Sequence, residues 1–133
     1  MKKLILLFTF LLTILSSCRK DEVNDNSESC YTNTSAQSIV HNGVNREYVL
    51  YIPNSYDGTS SVPLMLNFHG FGGSASDYMQ EADMRSLAEA DTFILIYPQG
   101  NCLDGLSHWN ACPLGGDNKS DADDFGFVEA IIN

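Results

Sequence analysis

The segment Phe68-His69-Gly70-Phe71-Gly72-Gly73-Ser74 is the part of this chain whose residue types could do chemistry. Its glycines let main chain approach a ligand closely. Fixed backbone N–H groups in such a turn can hold the negative charge that builds on a carbonyl oxygen during acyl transfer. One well-placed donor of this kind lowers the barrier by about 3 kcal/mol. The competing reading of the same residues is a glycine-rich connection from strand to helix with no catalytic part. A phosphate loop is excluded because no Gly-Lys-Ser/Thr follows, and the glycines lack the spacing of a dinucleotide fingerprint.

Two further segments could border such a site. Trp109, the single tryptophan, sits in His108-Trp109-Asn110, where a flat ring could stack on an aromatic acyl group or a sugar, or could anchor the loop in the core. Tyr97-Pro98 ends an apolar run, on the edge where α/β proteins build sites, although a plain strand-ending turn explains it as well.

The elements that must position these residues can be read from periodicity. Ser38-Ile39-Val40-His41 and Arg46 to Ile52 flank Asn42-Gly43, a pair that supplies the positive φ angles of a tight hairpin turn. Tyr48, Leu50 and Ile52 share one face by the two-residue period, and Pro53 closes the strand. Leu64-Met65-Leu66-Asn67-Phe68 and Phe93-Ile94-Leu95-Ile96-Tyr97 are short apolar runs of the kind found in parallel strands buried on both faces. Between them, Asp77 as N-cap with Gln80 three residues on, then Met84, Leu87 and Ala88 at helical spacing, predicts one helix reaching about Ala90. Strand, helix and strand in this order make a right-handed βαβ crossover, so the class is α/β. After Gly100 the spacing predicts a long irregular loop to about Asp121, and Asp123-Asp124 then open a helix with acids at the favourable end of its dipole. That helix carries Phe127, Val128, Ile131 and Ile132 and ends without a stop signal, so the chain is expected to be truncated.

Composition narrows the function classes. At 133 residues one domain is the ceiling. Seven basic residues face seventeen acidic ones, a net charge of −10 that reaches −12 if Lys2 and Lys3 leave with a leader. Such a surface repels phosphate backbones, and no basic stripe exists, so nucleic-acid binding is excluded. Met1-Lys2-Lys3 followed by the apolar run from Leu4 to Leu15 has the layout of a secretory leader, expected over residues 1–17. Leu15-Ser16-Ser17-Cys18 resembles the lipobox of bacterial lipoproteins. On that reading Cys18 is acylated and the exported protein is tethered to a membrane, either extracellular or on the outer membrane or cell surface; an ordinary signal-peptidase site nearby is the alternative. Residues 18–37, rich in Ser, Asn, Asp, Glu and Thr, read as a disordered tether. Of the remaining cysteines, Cys102 and Cys112 could close a short disulfide ring, leaving Cys30 to a free thiol or another partner. No paired spacing of a zinc site occurs, so neither a metal nor a cofactor is expected.

Five segments in order carry a family resemblance: Arg46-Glu47-Tyr48-Val49-Leu50-Tyr51-Ile52-Pro53, Pro63-Leu64-Met65-Leu66-Asn67-Phe68-His69-Gly70, Tyr97-Pro98-Gln99-Gly100, His108-Trp109-Asn110 and Asp123-Asp124-Phe125-Gly126-Phe127. Together they resemble the secreted polyhydroxybutyrate depolymerase and feruloyl esterase family of α/β-hydrolases, over residues 38–133. The resemblance implies a serine carboxylic ester hydrolase without a cofactor, acting on a polyester or an acylated polysaccharide. It implies an incomplete α/β-hydrolase fold made of the N-terminal hairpin, the first parallel strands and their helices. In that fold the loop after this strand supplies one oxyanion N–H and the residue after the nucleophile supplies the other. By that comparison Phe71 is the expected backbone donor, with Gly70 as runner-up. His69 precedes the place of the nucleophile and is expected to pin the loop rather than act as base, and His108 likewise. No Gly-x-Ser-x-Gly occurs; Gly73-Ser74-Ala75-Ser76 lacks the second glycine. The nucleophile, its Asp and its His are therefore expected downstream, and this chain alone is expected to turn nothing over. The alternative is a non-catalytic surface lipoprotein that binds glycan or polymer on the same scaffold.

Overall fold

The computed structural model describes Cys30 and residues 36–112 and 118–133. The expected leader, Cys18 and the tether up to residue 35, Cys30 excepted, lie outside the described residues. Strand β1 (Gln37–His41) and strand β2 (Val44–Tyr51) pair antiparallel, with His41 opposite Val44. Asn42 and Gly43 between them take φ of 51° and 79°, which is why this Asn-Gly makes the turn. Strand β3 (Leu64–Leu66) lies parallel to strand β4 (Ile94–Pro98), and β2 pairs antiparallel with β4's other edge. The result is a four-stranded mixed sheet in the order β1-β2-β4-β3, an α/β arrangement in which helices connect the parallel strands β3 and β4.

The crossover differs from its prediction in two respects. Two helices replace the single one: α1 (Ala75–Glu81) and α2 (Arg85–Asp91). Ser74, not Asp77, caps α1, its hydroxyl accepting from the Asp77 amide at 3.1 Å while donating to the Asp77 carboxylate. The break is held from outside the helix. The Ala82 carbonyl accepts from the Tyr97 hydroxyl at 2.8 Å, and Asp83 accepts from the Arg85 amide, turning the chain before α2 begins.

One sheet face is covered by α1 and α2. Val49, Leu95 and Tyr97 pack there on Ala75, Ala88 and Phe93, flanked by Tyr51, Met65 and Met79. The face holding Tyr48, Leu50 and Ile52 is the opposite one, where Leu50 sits beside Ile96 and Ile96 beside Leu66. Helix α3 (Asp124–Ile132) packs against β1, placing Phe127 under the Arg46 guanidinium, 4.1 Å from its ring centre. Leu50, Ile52 and Leu64 stay exposed. β4 therefore meets the expectation of a strand buried on both faces, with Leu95, Ile96 and Tyr97 all buried, whereas β3 does not. β3 is an edge strand whose Leu64 is open to solvent.

The predicted irregular loop also contains structure. Strands β5 (Asn101–Leu103) and β6 (Leu106–His108) form a hairpin around Asp104-Gly105, whose φ values are 51° and 77°. The expected Cys102–Cys112 bridge is corrected: Cys102 on β5 bonds to Cys30, with 5.4 Å between Cα atoms, and Cys112 is free. Cys112 lies beyond His108-Trp109-Asn110, and its backbone is held instead by the Asn118 side chain. The bond closes 72 residues and ties the segment before the sheet to the β5–β6 hairpin.

Candidate active site

The carboxyl ends of the parallel strands β3 and β4 lie on the same edge of the sheet, and the glycine segment leaves that edge. Asn67 donates its amide to the Ile96 carbonyl, extending the pairing by one residue before the chain turns off as the loop between β3 and α1. His69 is 3% exposed and is fixed at both ring nitrogens. Its Nε2 lies 2.9 Å from the Gly100 amide and 3.2 Å from the Gln99 side-chain amide nitrogen. The Gly100 N–H can only donate, so Nε2 accepts. Nδ1 therefore carries the proton and donates to the Gly70 carbonyl at 2.7 Å. Burial pushes the His69 pKa down and outweighs the opposing pull of that carbonyl, so the ring is neutral and serves as a pin.

The rest of the loop is held by the neighbouring hairpin. Gly72 donates to the Ser107 carbonyl at 2.8 Å, Gly73 donates to the Gly70 carbonyl at 3.0 Å, and the Ser107 hydroxyl donates back to the Gly73 carbonyl. Gly72 has φ of 72°, a conformation that only glycine adopts without strain. Gln99 completes the support. Its side-chain oxygen accepts from the Ala75 amide at the start of α1 while its NH2 group reaches His69. The segment Tyr97-Pro98-Gln99-Gly100 therefore acts here as a brace: Tyr97 fills the core, and Gln99 and Gly100 hold the histidine.

Among the amides this bonding leaves over are two adjacent ones. Those of Gly72 and Gly73 are consumed by carbonyls, whereas those of Gly70 and Phe71 meet no acceptor among the described residues. Both residues are exposed, Phe71 at 71%. They border a groove of about 380 Å³ that runs along the loop to Ser74, Asp77, Tyr78 and Glu81 of the first helix. Two adjacent unbonded N–H groups on a braced loop at this edge can donate to an oxygen that gains negative charge.

Trp109 is half-buried, and its indole N–H donates to the His69 carbonyl at 3.0 Å. Its ring meets Phe68 edge-on, 5.1 Å between centres, and lies 5.2 Å from the His69 ring. Of the two sequence readings, anchoring is the role these contacts carry. His108 is buried, with Nε2 2.8 Å from the Ser120 hydroxyl. That Ser-His contact lacks the parts of a nucleophile site. The His108 Nδ1 has no partner to orient it among the described residues, and Ser120 is flanked by Lys119 and Asp121 rather than glycines.

Four supporting residues were not singled out from sequence. Gln99 and Asn110 lay within flagged segments but had no assigned task, and nothing distinguished Ser107. Arg46 forms a buried ion pair with Asp124 at 2.6 Å, 78 residues away. The Tyr-Pro-Gln-Gly motif was the available signal for Gln99. No local pattern could have joined Arg46 to Asp124. A scan of family models matched none to the chain, and a search of curated proteins found no match.

Proposed function

We propose that this chain carries the oxyanion-binding part of a serine carboxylic ester hydrolase resembling secreted polyhydroxybutyrate depolymerases and feruloyl esterases. Its substrate would be a polyester or an acylated polysaccharide. The observation that carries the reading is the unbonded N–H pair of Gly70 and Phe71, on a loop that leaves a parallel strand and leads into a helix. An α/β-hydrolase places one oxyanion donor at that position. In such an enzyme a serine outside these 133 residues attacks the acyl carbon, and the charge that builds on the carbonyl oxygen is held by the Phe71 N–H with Gly70 beside it. The neutral His69 keeps those amides in place and takes no proton from the nucleophile. Trp109 holds the loop's base, and the exposed part of its ring borders the acyl group. Export and a lipid anchor at Cys18 belong to the same proposal, since a polymer substrate is met outside the cell.

The experiment is performed on the longest product of the source gene. It combines labelling by a serine-directed fluorophosphonate with hydrolysis of a p-nitrophenyl ester. Labelling at a Gly-x-Ser-x-Gly serine together with hydrolysis supports the reading. A product that neither labels nor hydrolyses the ester sinks it.

A further inference from the structure

Asp124 is the first residue of α3 and is only 5% exposed, yet it does not cap the helix. Its exposed neighbour Asp123 does that, accepting from the Gly126 amide. The two oxygens of Asp124 go elsewhere. Oδ1 accepts from Arg46 at 2.6 Å, and the same Arg46 nitrogen donates to the Gln99 carbonyl at 3.3 Å. Oδ2 accepts from the Asn110 amide at 2.6 Å. Each path then reaches His69 in one more step. Gln99 sends its side-chain amide to the His69 ring, and Trp109, the residue before Asn110, sends its indole N–H to the His69 carbonyl. One buried carboxylate thus stands behind both sides of the histidine that holds the Gly70 carbonyl.

We infer that Asp124 is a positioning residue for the loop amides of Gly70 and Phe71, acting through Arg46 and Gln99 on one side and Asn110 and Trp109 on the other. The inference rests on the proposed ester-hydrolase reading for what the amides do, but not for how they are held. A buried ion pair contributes little net stability compared with apolar residues of similar volume, because desolvation offsets the attraction. Its worth here is geometric. It sets the start of α3, the end of β4 and the Trp109 loop in one register, and the loop between β3 and α1 is built on that register.

The test separates holding the fold from holding the loop. Asp124→Asn leaves Arg46 buried and without its charged partner, so that variant is expected to lose both. The double variant Arg46→Met with Asp124→Leu replaces the pair by apolar side chains and is expected to melt near the wild-type temperature. Amide exchange is then measured by NMR on the labelled chain. In the double variant the Trp109 indole N–H and the Gly72 and Gly73 amides should exchange about tenfold faster relative to the amides of the β2–β4 ladder. Recovered melting with an unchanged exchange ratio overturns the inference. So does a double variant that recovers no cooperative transition, since Asp124 would then support the fold rather than the loop. Ester hydrolysis does not enter the readout. A protein shown to hydrolyse no ester leaves the role of Asp124 standing, and an unchanged exchange ratio leaves the ester reading standing.

Discussion

A single methyl group at Gly100 tests the brace behind the loop. The Gly100 amide donates to His69 Nε2 at 2.9 Å, and a Cβ at this position would stand 2.6 Å from the His108 carbonyl oxygen and 3.1 Å from His69 Cε1. Ordinary contact begins near 3.4 Å, so the β6 end or the Gly100 backbone must yield by about 0.8 Å in Gly100→Ala. Overpacking of this kind costs about 1–3 kcal/mol. The shift also weakens the hydrogen bond to a buried ring nitrogen, which adds about 1 kcal/mol because the Gln99 side chain remains as a second donor. The sum is about 2–4 kcal/mol, a large part of the stability of a domain this size. Gly100 does not have a positive φ, so the effect is steric rather than conformational. Urea unfolding followed by tryptophan fluorescence should show the midpoint lowered by about 2 M. Gly70→Ala is the control. Its Cβ meets nothing within 4 Å, and its midpoint should hold. A Gly100→Ala variant within about 0.5 kcal/mol of wild type would refute the close approach of His69, Gly100 and His108 on which the brace depends.

Other consequences follow from the same geometry. Because burial lowers the His69 pKa in the folded state, the unfolded chain binds more protons below about pH 6.5. The neutral form's contribution is thus complete above that pH and is lost as pH falls below it through the lower folded-state pKa. His69→Gln should flatten the stability profile over that window, and an unchanged slope would contradict a neutral pin. Breaking the Cys30–Cys102 bond by Cys102→Ser should cost about 4 kcal/mol on the loop-entropy account, whereas Cys112→Ser should cost little; calorimetry under oxidising conditions distinguishes them. Ser74→Ala removes the α1 cap and should cost about 1 kcal/mol in urea unfolding, with Asp77→Ala costing less.

How far the fold was legible depended on the range of the interactions. Asn42-Gly43 announced its hairpin because the φ requirement is local and the flanking runs are long. Asp104-Gly105 carries the same signal but was passed over, since its strands have only three residues each and no clear alternation. The break between α1 and α2 is set by the Tyr97 hydroxyl and could not be seen in a stretch that keeps helical spacing. Disulfide pairing cannot be deduced from spacing, and proximity in sequence pointed Cys102 to the wrong partner. The glycine segment was legible as a loop that offers amides. Which amides remain unbonded was not, because Ser107 on a separate hairpin takes the Gly72 N–H. Arg46 and Asp124 are each ordinary in their own segment. Only the packing of α3 against β1 puts the two charges together beneath the brace.

Removing one N–H tests the central claim most directly. Phe71→Pro deletes the amide proposed to hold the oxyanion, at an exposed position whose N–H meets no acceptor among the described residues. In the longest gene product, hydrolysis of p-nitrophenyl butyrate should lose about 10²–10³ in kcat with KM and melting temperature nearly unchanged. A kcat within threefold of wild type would contradict the account and return the loop to a plain connection between strand and helix.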